Sequence, residues 1–89
     1  MNDYTMLEML KVDLGISTTA YDARLSQYLT SAKDYIAREG ITLDSDKASD
    51  MNLVVMYASW LWRKRDTTEA MPRMLRWNLN NRLFAEKVS

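Results

Sequence analysis

Met51-Asn52-Leu53-Val54-Val55-Met56-Tyr57-Ala58-Ser59-Trp60-Leu61-Trp62 is the most apolar stretch of this chain, and its pattern decides the fold. At 100° per residue, Met51, Val54, Val55, Ala58, Leu61 and Trp62 share one side of a helix. Leu53, Met56, Tyr57 and Trp60 occupy the other, with only a thin polar seam of Asn52, Ser59 and Arg63 between. A helix apolar on both sides must be surrounded, so this segment is expected at the centre of a helical bundle. Its ten most apolar residues, 53–62, are interrupted by Ser59 and fall short of the ~18 needed to span a bilayer. No membrane partner is expected.

The neighbouring segments read as helices too. The central one begins after Ser45 or Asp46, either of which can cap free N–H groups, and runs to about Arg65. A connector, 66–71, leads to Pro72, whose fixed φ suits a first turn, and a fourth helix continues to about Lys87. On it Met74, Trp77, Asn81, Phe84 and Val88 form one stripe and Leu75, Leu79 and Leu83 the opposite one. One stripe serves the core and the other needs a partner. Upstream, a helix from about Thr19 to Glu39 carries Tyr21, Leu25, Tyr28, Leu29, Ala32, Tyr35 and Ile36 inward, with Arg24, Gln27 and Ser31 toward water or a neighbour. Gly40 ends it. The first helix spans about Thr5 to Leu14, with the capping-box spacing Thr5-Met6-Leu7-Glu8, a shared face of Leu7, Leu10 and Leu14, and Gly15 beyond it. No strand or hairpin signal occurs. The fold class is therefore all-α, a small bundle of about four helices in one domain, 1–89, with the third helix central.

Composition narrows the function. A chain of 89 residues buries only about 60% of its unfolded surface, too little to hide every apolar stripe. Cysteine and histidine are absent, which removes thiol nucleophiles, imidazole bases and the soft ligands of transition-metal sites. Asp44, Asp46 and Asp50 lack the glycine and glutamate of a calcium loop and suit helix capping better; the carboxylates read as surface charges. Gly15 and Gly40 are isolated, so no phosphate loop exists. Neither enzymatic activity nor a cofactor or metal is expected. The start, Met1-Asn2-Asp3-Tyr4, lacks the basic and apolar run of a secretion signal, so the chain is expected to stay in the cell that makes it.

Zero net charge conceals a polarity. Residues 1–60 hold five basic and nine acidic side chains, whereas 61–89 hold seven basic and three acidic. Either the halves of neighbouring copies attract, or the basic half faces nucleic acid, or these are ordinary solvated charges. Arg63-Lys64-Arg65 also suits a helix C-terminus through the dipole. Three tryptophans and seven methionines are typical of cores and of interface centres alike; Trp62 belongs to the core stripe, while Trp60 and Trp77 fit either place.

The order Met9-Leu10-Lys11-Val12-Asp13-Leu14-Gly15-Ile16, then Tyr21-Asp22 with Leu25, Tyr28, Ala32, Tyr35 and Ile36, then Tyr57-Ala58 and Arg63 to Arg65, resembles small tailed-phage head-tail connector proteins, also called adaptor or DNA-packaging proteins. The closing Met71-Pro72-Arg73-Met74-Leu75-Arg76-Trp77 and Leu79-Asn80-Asn81-Arg82-Leu83 is similar to the end of that family in phages and prophages of Gram-positive bacteria. The resemblance covers nearly the whole chain through a diffuse pattern. It implies a non-catalytic ring subunit at the head-tail junction of the virion, assembled in the host cytoplasm, that docks under the portal protein and supports the next head-completion or tail protein, the ring forming either by itself or on the portal as template from monomeric subunits. Duplex DNA would pass through the ring without being read. Portal contacts in the family often use a terminal helix or tail, and here Ser89 follows the expected helix by two residues, so no long docking tail is expected. On this reading Trp60, Leu75, Arg76, Trp77, Leu79 and Leu83 are the expected subunit or portal contacts, and Arg73 and Arg82 face the channel or DNA. The competing reading is a small helical DNA-binding or regulatory module of phage origin, with Arg73, Arg76 and Arg82 on phosphates. A helix-turn-helix is disfavoured because the connections are too long.

Overall fold

The structure, a computed structural model, describes residues 2–88. Four helices follow one another: α1 (Asp3–Leu14), α2 (Asp22–Arg38), α3 (Ala48–Lys64) and α4 (Arg73–Val88). No strand occurs among the described residues. The all-α class is as the periodicity implies, and α3 is the helix on which α1, α2 and α4 all pack.

The helix starts differ from those expected, each for a local reason. Asn2, not Thr5, opens α1: its Oδ1 accepts the Thr5 N–H at 2.8 Å, so Thr5 sits within the first turn. Gly15 ends α1 with φ 71°. The α2 helix begins at Asp22 because Thr18 Oγ1 takes the Ala20 N–H and Thr19 O takes the Asp22 N–H, forming a turn. Lys47, not Ser45 or Asp46, occupies the cap position of α3. Asp44 Oδ1 accepts the Asp46 N–H at 2.9 Å, an Asx turn, and α3 starts after Lys47.

Among the described residues seventeen buried apolar side chains form one core. Both stripes of α3 lie inside the protomer, α1 contributes Met6 and Leu10, and α2 contributes Leu25, Leu29, Ala32 and Ile36. Arg24, Gln27 and Ser31 are exposed, as the α2 pattern implies. Tyr21 and Tyr35 of the same stripe lie at its margins, edge-on to Trp62 and stacked on Tyr57 respectively. The Cα extents, 42 × 30 × 18 Å, describe a slab two helices thick. So thin a body covers only one face of its outer helices.

Candidate functional site

Helix α4 is fastened along its inner side and open along its outer side. Leu75 and Leu79 are 1% and 0% exposed, and Leu83 packs partly against the core beside Gly40, where a Cβ would meet Leu83 Cδ1 at 3.4 Å. Gly40 has φ 101°, a value side chains rarely tolerate, and so turns the chain from α2 into the loop that reaches α4.

Two arginines hold α4 to that loop and to its neighbours. Arg76 grips Glu39 with bonds of 2.9 and 3.3 Å. Arg82 donates to both carboxylate oxygens of Asp50 at 2.8 and 3.3 Å, to the Thr42 carbonyl at 2.6 Å and to Glu86 at 3.2 Å. Asp50 is 1% exposed and accepts the Asp44 N–H as well, which ties the loop to the start of α3. Burial by itself would raise the Asp50 carboxyl, but the Arg82 hydrogen bonds, the Asp44 N–H and the nearby positive charge outweigh it and hold it below its ordinary value. Hydrogen bonds from Thr42, followed by Arg82, lower Glu86 likewise. A cleft of about 340 Å³ between α3 and α4 has this satisfied ion pair in its wall, together with Asn52, Met56 and Asn78.

Depressed carboxylates stabilise the fold above their unfolded pKa, and that stability is lost as the pH falls through the lower folded value. Melting temperature is therefore expected to drop on acidification below about pH 4. In Asp50→Asn the drop should be shallower; an identical acid profile in circular-dichroism melts would exclude Asp50 as a contributor.

What α4 presents outward is Met74, Trp77, Phe84 and Val88, exposed by 62–66%. Asn81 is exposed among them. The row is about 21 Å long at 1.5 Å per residue and points away from the leucines. Fully covering a side chain of this kind contributes roughly 1.5–3 kcal/mol. Burying all four therefore approaches the ~4–15 kcal/mol that association costs in lost freedom. By that comparison the row alone supports weak pairing, and firm assembly requires a matching surface as well.

Several expected contact residues are consequently placed elsewhere. Leu75 and Leu79 belong to the protomer's core, because α4 docks on α3 through them. Trp60 is 9% exposed, its indole N–H directed to the Glu69 carbonyl at 3.4 Å and Lys64 over its ring. Arg76 and Arg82 are held by carboxylates of the same chain, so two of the seven basic side chains of 61–89 are paired with the acidic half within the protomer. Asp50 is the buried partner of Arg82 and not a surface charge. Trp77 is on the open face, and Arg73, also exposed, makes no ion pair among the described residues. Met74, Phe84 and Val88 join Trp77, a grouping already present in the 3, 4, 3, 4 spacing.

No known family model, curated protein or solved structure matches this chain. Among the described residues no helix is long and apolar enough to cross a membrane, and no group of three or more carboxylates is arranged to hold a metal ion.

Proposed function

We propose that this chain is a structural subunit that assembles with copies of itself into a ring, of the kind that joins a phage head to its tail, and that it performs no chemistry. The observation that carries the proposal is the uncovered row Met74, Trp77, Phe84 and Val88, four exposed large apolar side chains aligned along one face of α4. Such a row is where protein partners dock. On this reading the portal protein and the next head-completion or tail protein bind the two faces of the ring, at the head-tail junction of the virion, and duplex DNA passes through unread. Of the two arginines expected to face the channel, Arg73 is the one without an ion pair among the described residues. The DNA-binding alternative is disfavoured because Arg76 and Arg82, two of its three phosphate contacts, are held by Glu39 and Asp50.

Light-scattering mass after size exclusion, over a concentration series with and without duplex DNA, separates the two. A multi-chain species that persists as salt rises is expected, because apolar contacts are not screened. A single chain that shifts only with DNA and is released by salt would replace this proposal with the binding module.

A further inference from the structure

Helix α1 has an uncovered face of its own. Tyr4 and Val12 are 70% and 79% exposed, and Glu8, between them at i, i+4, i+8 spacing, is exposed without an ion pair among the described residues. This face repeats the pattern of the middle of α4. Tyr4–Glu8–Val12 reads apolar, acidic, apolar over about 12 Å, and Trp77–Asn81–Phe84 reads apolar, amide, apolar over about 10 Å. The charges are complementary. One flank of the α4 row carries Arg73, Asn80 and Lys87, all exposed, whereas the α1 face carries the exposed carboxylate of Glu8.

We infer that the outer row of α4 in one copy docks on the Tyr4–Glu8–Val12 face of α1 in the next, with Trp77 and Phe84 against Tyr4 and Val12 and the Asn81 amide donating to Glu8. The inference rests on the self-assembly reading above and names its contact. Two α4 rows facing each other are a poorer match. Antiparallel about Asn81, they set Arg73 of each copy beside Lys87 of the other, and a parallel pair supplies no acidic side chain to that flank. Because the two faces lie on different helices, the contact is head-to-tail and propagates from copy to copy until it closes. Helices α1 and α4 each pack on α3 with little contact between them, so neither occupies the other's outer face within one protomer.

The test uses two full-length variants, Tyr4→Glu with Val12→Glu on α1, and Trp77→Glu with Phe84→Glu on α4, each required to keep wild-type helical circular dichroism. Each alone is expected as a single chain in solution, and an equimolar mixture as a two-chain species, since each supplies the face the other lacks. If the α1 variant assembles like wild type, the α1 contact is wrong while self-assembly stands; if wild type itself stays a single chain at every concentration, both fall. Should a double variant unfold, charge reversal decides. Glu8→Lys is expected to reduce the assembled fraction, and adding Asn81→Glu to restore it; absence of restoration would overturn the contact.

Discussion

Leu79→Glu is expected to unfold the subunit, whereas Phe84→Glu, on the opposite side of the same helix, leaves its melting curve nearly unchanged. Leu79 is 0% exposed and, with Leu75, is the apolar anchor of α4 on the core. Truncation alone, Leu79→Ala, is expected to cost about 2–5 kcal/mol in lost transfer energy and residual cavity. A domain of 89 residues has only about 4–13 kcal/mol in total at 0.05–0.15 kcal/mol per residue. A carboxylate at this position adds an unpaired buried charge to the cavity, which exceeds what remains. Phe84→Glu should stay within about 0.5 kcal/mol, as exposed substitutions do. Thermal melts followed by circular dichroism read both. A Leu79→Glu protein that melts like wild type and merely fails to assemble would mean that the leucine stripe is the contact surface and the aromatic row is not.

The second large effect concerns Arg82. In Arg82→Leu the Asp50 carboxylate loses its guanidinium and remains buried, a situation that costs about 3–5 kcal/mol. Because the Arg82 side chain is 18% exposed and Asp50 2%, water can reach the site from one side only, and the lower figure is expected, about 3 kcal/mol. For a domain of this size that is a fall of roughly 12–24 °C in melting temperature. Arg82→Lys should recover little, since an ammonium cannot reproduce the planar fork that meets Asp50, Thr42 and Glu86 together. The exposed i, i+4 pair Arg38–Asp34 is the control: Arg38→Ala should change stability by less than about 1 kcal/mol. Equal effects at both positions would remove Arg82 as the fastening of α4.

How far these features could be read without coordinates follows from the range of the forces involved. The central place of α3 was legible because Met51 to Trp62 carries apolar residues on two opposite sides, a property of the residues themselves. The helix starts were less so: the capping-box spacing pointed to Thr5, whereas the cap bond is made by Asn2, a choice that depends on local geometry. On α4 both stripes repeat at helical spacing, so periodicity revealed two faces without ranking them. The ranking is tertiary: Leu75 and Leu79 meet α3, and Arg76 and Arg82 reach Glu39 and Asp50 across 37 and 32 residues. Those separations also explain why Asp50 looked like a surface charge. Its partner is invisible at short range, and aspartates near a helix start are usually solvated caps.

Sedimentation velocity of wild type beside the Trp77→Glu, Phe84→Glu variant, at matched high concentration, is the most direct measurement of whether the outer face of α4 is an assembly surface. Wild type is expected to sediment as a multi-chain species and the variant as a single chain that keeps wild-type helical circular dichroism. Identical sedimentation of the two, whether as single chains or as assemblies, would contradict that role for the face.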